Sequence, residues 1–241
     1  MDNYFITRYF DWPAREPGKK AGRINRALRR LGLRLVPLAG TGVMTNVEQR
    51  MNMFHLVDQV LAYGVPGDLV ELGCHVGQSA VLIQTVMERY EPARKLHLYD
   101  SFEGLPETTD KDGQPPVAAG QLHATSRAVY RNFERYGLRR PIVHEGWFDD
   151  TLPDGLPEQI AFAHLDGDFY ESIRVSLEHV YPRLSPGAVC LLDDYSDPAV
   201  SDVYDQFPGV KAACDEFLAD KPEAVSVLYA AWYAHGFFWK W

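Results

Sequence analysis

Asp68-Leu-Val-Glu-Leu-Gly73-Cys-His-Val-Gly77-Gln-Ser79 sets a short β-type run against a turn bounded by glycines. Apolar residues then recur at helical spacing from Gln78 to about Tyr90, so the stretch reads as strand, tight turn, helix. Working outward, the same alternation repeats. Further strands are predicted at Lys95–Asp100, Pro141–Glu145, Ile160–Asp166 and Gly187–Asp193, the last introduced by a Ser185-Pro186-Gly187 turn. A helix follows the fourth strand through about Arg183, and another covers about Gly209–Ala219. Ala224–Tyr229 and Gly236–Trp241 read as two closing strands with no crossover helix between them, hence an antiparallel hairpin at the sheet edge. Strands alternating with helices mean an α/β fold, a mainly parallel sheet with helices on both faces.

Upstream, residues 1–67 read as an N-terminal basic arm and helical extension, helical from about Asn46 to Tyr63, with 68–241 as the main domain. The segment 103–124 is rich in Gly, Pro, Thr and Asp, and a loop that long reads as a lid or binding loop. The chain has 241 residues and is 46% apolar, which excludes intrinsic disorder. A net charge of −9 argues against nucleic acid or an anionic membrane as partner. Residues 1–40 run the other way, with 9 Lys/Arg against 3 Asp/Glu. They form either a solvated helix face or an interaction arm, and through that arm the chain is a candidate homo-oligomer. Cys74, Cys190 and Cys214 lack metal or redox spacing and read as buried free thiols. No apolar run approaches the roughly 18 residues of a membrane span, and Met1-Asp2-Asn3-Tyr4 does not resemble a signal peptide. The expectation is a soluble, cytoplasmic protein.

In an open parallel sheet ligands bind beyond the carboxyl ends of the strands. Those ends read Glu71-Leu-Gly73, Tyr99-Asp100, Glu145-Gly146, Leu165-Asp-Gly-Asp168 and Leu192-Asp-Asp194, a rim of acids that selects a cationic ligand or a metal. In the first turn Gly73 and Gly77 permit close backbone approach, and the helix start at Gln78-Ser79 offers free N–H groups to an anion. The glycine spacing is that of S-adenosylmethionine (SAM) sites rather than of the dinucleotide fingerprint, with a plain β–α turn as the alternative. Asp100, 23 residues after Gly77, can accept both hydroxyls of a ribose. Turn and acid together indicate an adenosine-containing cofactor without separating SAM from a nicotinamide.

Asp166, Asp168, Asp193 and Asp194 come together at the ends of two strands expected to be neighbours. Unpaired, they would raise one another's pKa values; a hard cation such as Mg²⁺ relieves the conflict. Helix capping by Asp168 and by Asp194 is the alternative. His164 reads as a satisfied core residue, His75 as a cofactor-turn residue able to face the site, and His235 as part of a loop between the closing strands.

Taken with Gly64-Val-Pro-Gly-Asp68, Asp100-Ser-Phe-Glu-Gly-Leu-Pro106, Gly146-Trp-Phe-Asp-Asp-Thr-Leu-Pro153, Leu165-Asp-Gly-Asp-Phe-Tyr-Glu-Ser172 and Tyr181-Pro-Arg-Leu-Ser-Pro-Gly187, the chain resembles the macrocin O-methyltransferase family from about Met44 to Lys240. The resemblance implies a Rossmann-like, seven-stranded, class I SAM-dependent methyltransferase fold. It implies Asp166, Asp193 and Asp194 as Mg²⁺ ligands and Asp168 as general base. It implies SAM contacts from Glu71, Gly73, Gly77, Ser79, Asp100, Ser101, Gly146 and Trp147, with Met44, Thr45 and the 103–124 loop closing over the site. The turn Cys74-His75-Val76-Gly77-Gln78 departs from the family's tryptophan-, arginine- and glycine-rich stretch, and Ser196–Gly209 also diverges. The expected activity is SAM- and Mg²⁺-dependent O-methylation of a hydroxyl on a sugar-bearing or polyhydroxylated small molecule of antibiotic type. An NAD-dependent sugar dehydrogenase and a non-catalytic SAM- or metal-binding protein are the alternatives.

Overall fold

The structure, a computed structural model, describes residues 44–90, 93–197, 206–230 and 233–241. The chain divides into two compact units, Met1–Val47 and Glu48–Trp241. The second unit carries a seven-stranded sheet.

Its elements alternate as the hydrophobic pattern requires. They run α1 (Val47–Ala62), β1 (Asp68–Leu72), α2 (Gln78–Met87), β2 (Leu96–Asp100), α3 (Ser126–Tyr136), β3 (Ile142–Glu145), α4 (Phe148–Gly155), β4 (Ile160–Leu165), α5 (Tyr170–Val180), β5 (Leu184–Leu192), α6 (Pro208–Leu218), β6 (Ser226–Ala230) and β7 (Tyr233–Trp239). Short 3₁₀ turns cover Asp110–Asp112 and Tyr181–Arg183. Strand order is β3-β2-β1-β4-β5-β7-β6. The first five strands pair in parallel, and β7 joins β5 antiparallel with β6 antiparallel outside it. Strands β1 and β4 are buried along nearly their whole length, as strands covered on both faces must be.

Helices α3 and α4, absent from the sequence reading, make the crossovers that parallel strands demand. Helix α3 starts at Thr125, whose side chain accepts from Ala128 N, ends at the left-handed Gly137, and buries Val129 and Phe133. Strand β5 begins at Leu184, so Ser185-Pro186-Gly187 lies inside it rather than forming a turn before it. Pro186 has no N–H to give the ladder, and Gly187 takes φ 83°. The pairing with β4 accordingly jumps from Ile160↔Leu184 to Phe162↔Val189, an irregularity that keeps the strand in the sheet. The last strand also starts earlier than its glycine suggested. β7 begins at Tyr233, so His235 is a buried strand residue and not part of a loop.

Within the second unit, α1 makes polar contacts at two points. Asp58 accepts from Arg89 (2.8 Å) and from the Tyr90 hydroxyl (2.7 Å), and Asn52 Nδ2 donates to Tyr229 O (3.3 Å).

Candidate active site

The strand order reverses between β2-β1 and β4-β5, which opens a crevice at the carboxyl ends of β1 and β4. Register aligns those ends: Leu72 faces Leu165, and Leu165 faces Leu192. The next residues, Gly73, Asp166 and Asp193, therefore leave the sheet side by side. Asp166 N donates to Leu72 O (2.8 Å), and Asp193 N donates to Leu165 O (2.9 Å). A Cβ on Gly73 would lie 1.8 Å from Asp166 O, so glycine is required where the first turn passes over the fourth strand's end.

The first turn closes through Gly77 N to Cys74 O (2.6 Å), with His75 and Gly77 both left-handed. Gly77 occupies the cap position of α2 without a side-chain cap, leaving the first helical N–H groups, including that of Ser79, facing the turn. Asp100 stands across from it. Its Oδ2 accepts from His75 N (2.7 Å) and its Oδ1 from Phe102 N (2.7 Å), which fixes the carboxylate between the first and second turns. Burial raises its pKa, opposed by backbone donors at Phe102, His75 and Cys74 and by the His75 ring. Ser101 Oγ bonds within its own turn, donating to Gly104 O (3.3 Å) and accepting from Glu103 N (3.1 Å). Gly146 N donates to Asp100 O (2.9 Å), which brings Gly146 and the exposed Trp147 to the same rim.

Glu71 lies elsewhere. It is fully buried within β1, where Oε1 pairs with His164 Nδ1 of β4 at 2.8 Å. Its carboxylate is thus inside the sheet rather than in the open turn, because alternation sends residue 71 to the face opposite residues 70 and 72. Burial would lower the pKa of His164, but the Glu71 carboxylate outweighs it and raises it. Met44, which is exposed, and Thr45 belong to the unit Met1–Val47.

The aspartates form two overlapping groups. Asp166, Asp168 and Asp194 each bring a carboxylate oxygen to within 4.8 Å of the others, and Asp166 does so again with Asp193 and His164. Asp168 and Asp194 both take left-handed φ, 60° and 54°, conformations that hold these side chains toward the cluster and are rare for residues other than glycine. Neither caps a helix by its side chain: the cap residue of α5 is Phe169, and no helix starts beside Asp194 among the described residues. Burial and the charges of Asp193, Asp168 and Asp194 push Asp166 well above the usual carboxylate range. Asp168 is raised to about 7 by burial and then by Asp193 and Asp100, so it stands in the field of both the cluster and the acid at the end of β2. Asp193 is instead depressed. Burial acts against it, but His235 Nε2 lies 2.6 Å from Oδ1 and prevails.

The group Asp166, Asp168 and Asp194 is an all-oxygen set of carboxylates at a switch point, which fits a hard divalent cation and does not fit a thiolate-loving or purely structural metal. His235 was missed as a partner because Gly236 looked like a strand start. In fact Gly236 is needed mid-strand: a Cβ there would meet the Tyr195 ring at 2.6 Å. Asp112 was missed altogether. It is buried, and its signal in the sequence was the box Thr109-x-x-Asp112, in which Asp112 Oδ2 accepts from Thr109 N at 2.7 Å.

Residues 9–219 match the profile of the macrocin-O-methyltransferase (TylF) family. The chain is 39% identical over 175 residues to the 8-demethyl-8-(2,3-dimethoxy-alpha-L-rhamnosyl)-tetracenomycin-C 4'-O-methyltransferase of Streptomyces olivaceus, covering 69% of this chain and 67% of that one. It is 35% identical over 187 residues to the mycinamicin III 3''-O-methyltransferase of Micromonospora griseorubida, covering 73% of each. Among solved structures, the O-methyltransferase NovP superposes with a TM-score of 0.66 at 27% identity, covering 81% of this chain and 80% of that one. These matches set aside the dehydrogenase and the non-catalytic alternatives.

Proposed function

The chain belongs to the macrocin O-methyltransferase family, and from that premise we propose that it methylates a hydroxyl on the sugar of a glycosylated, antibiotic-type small molecule, assisted by Mg²⁺. It is a SAM-dependent O-methyltransferase. The observation that carries the finer reading is the aspartate cluster at the switch point, with Asp168 in the field of both its neighbours and Asp100.

In this reading Asp100 receives the ribose hydroxyls, and the Gly73–Ser79 turn presents backbone N–H groups to the methionine carboxylate. Ser101, Gly146 and Trp147 line the same cofactor opening. Glu71 acts at one remove, as the buried partner of His164. Asp166, Asp193 and Asp194 would hold Mg²⁺. Bound there, the cation would lower the pKa of the acceptor hydroxyl and orient its oxygen. Asp168, whose pKa of about 7 lets it accept a proton near neutrality, takes the hydroxyl proton as the oxygen attacks the sulfonium methyl. The 103–124 segment shields the reacting atoms from water, with residues 1–67 as the extension and 68–241 as the catalytic domain. Three buried free thiols suit the reducing cytoplasm, and the basic arm is the segment through which copies would associate.

The test is methyl transfer from labelled SAM to a panel containing mycinamicin III and the tetracenomycin rhamnoside, with and without EDTA. EDTA should abolish transfer, Mg²⁺ should restore it, and Asp194→Asn should raise the Mg²⁺ requirement at least tenfold. Full transfer in EDTA would remove Mg²⁺ from the mechanism.

A further inference from the structure

The turn that carries Asp168 is closed within by Phe169 N donating to Gly167 O (2.6 Å), and it is also held from outside. Asp168 has φ 60°, a conformation that costs a non-glycine residue about 1 kcal/mol and persists only where the surroundings impose it. The helix that follows does not supply the restraint, since its cap residue is Phe169, which has no side-chain acceptor. The first helical amide, Tyr170 N, instead donates at 2.6 Å to Oδ1 of Asp112, from the middle of the 103–124 segment. The other oxygen of Asp112 accepts from Thr109 N (2.7 Å) and Thr109 Oγ1 (2.8 Å), so both ends of the carboxylate are engaged. Asp112 is 1% exposed. Space for it is kept by Gly209 at the start of α6, where a Cβ would stand 2.0 Å from Asp112 Oδ1. Next to it, Lys111 Nζ reaches Glu216 (2.5 and 2.7 Å) and the Tyr170 hydroxyl (3.0 Å), which itself donates to Glu216 (2.7 Å).

We propose that Asp112 is a positioning residue: its carboxylate caps α5 in trans and thereby fixes the left-handed turn that aims Asp168. The 103–124 segment, read from sequence as a lid, is in this part a fixed strap pinned between α5 and α6. The proposal rests on Asp168 being the base, and the experiment separates the two.

Amide hydrogen exchange over residues 166–173 of the full chain is measured together with kcat and KM, using the acceptor turned over in the panel above. Asp112→Ala should speed exchange in that segment at least tenfold and lower kcat at least tenfold. SAM affinity and acceptor KM should stay within about twofold, a split that general loss of stability would not produce. Asp112→Asn keeps an oxygen for Tyr170 N and should restore most of kcat. Gly209→Ala removes no polar group but sets a Cβ 2.0 Å from Asp112 Oδ1 and 2.9 Å from Tyr170 N, against both partners of the capping bond, and should reproduce the alanine variant. Wild-type exchange and wild-type kcat in Asp112→Ala would overturn the proposal, as would an Asp112→Asn no better than alanine. If Asp112→Ala fails to fold, Asp112→Asn and Gly209→Ala decide it alone. Full turnover by Asp168→Asn would overturn the base assignment instead, while the exchange result still judges the strap.

Discussion

Two buried acidic centres in this fold respond to burial in opposite ways. At the crevice, Asp166 and Asp168 face other carboxylates and are pushed upward. At the far side, Glu223 is also shut away from water, yet its carboxyl is held at about 2. Burial opposes that depression, but Lys240 Nζ at 2.8 Å and the Tyr181 hydroxyl at 2.6 Å outweigh it. Lys240 also donates to Tyr181 OH at 3.0 Å, so the three groups satisfy one another. One centre is complete in the protein alone. The other answers Asp193 through His235 but sets Asp166 and Asp168 against further acids. On the proposed reading a bound cation completes it, which would be the physical difference between an acid that stabilises and an acid that works.

The largest expected effect tests the incomplete centre. Asp168→Asn keeps size and shape but cannot accept a proton at neutral pH, so kcat should fall by about 10²–10⁴. Removing one of several repelling charges should leave the thermal midpoint unchanged or higher, checked by calorimetry in EDTA. A large fall in stability would mean that Asp168 is a structural residue like Glu223.

Asp100→Ala should come next. It removes the acceptor expected to bind two ribose hydroxyls, each charge-assisted bond being worth about 1.5–3 kcal/mol, so SAM should bind at least tenfold more weakly by titration calorimetry. Mg²⁺ binding should be unaffected. An unchanged SAM dissociation constant would detach Asp100 from the cofactor.

The complete centre gives a smaller, purely structural effect. Glu223→Gln should cost about 1–3 kcal/mol near neutral pH without changing kcat at saturation. The sign follows from the depressed pKa. The contribution is fully present above the unfolded value of about 4.5 and is lost as pH falls toward about 2. Denaturant midpoints of the two proteins should therefore converge below about pH 4. A difference that grew on acidification would reverse the assignment.

The smallest effect belongs to pairs that neither centre needs. Arg174, exposed on α5 beside Glu171 and Glu178, should lose no more than about 0.5 kcal/mol on replacement by alanine, and that loss should fade in salt.

How much of this could be read from the residues depends on whether the signal was local. Strand–turn–helix alternation depends on spacing along the chain, and the seven strands were all placed from it, five nearly to their ends. Asp166, Asp168, Asp193 and Asp194 were legible for the same reason, since each follows a strand whose end can be seen. Glu71 was read as a cofactor contact because its position in the motif is visible, whereas its orientation is not. Only the pairing of β1 with β4 shows that it meets His164.

The sequence by itself determined the order of strands and helices, the acidic rim, and the glycines that let the first turn close. Tertiary structure decided which acids are answered and by what. His235 meets Asp193 because β7 runs antiparallel beside β5, and Asp112 meets Tyr170 N because α6 begins with a glycine that leaves room. Periodicity records which way a residue faces along its own element. It does not record which distant element will stand opposite, and the pKa of a buried acid depends on that neighbour.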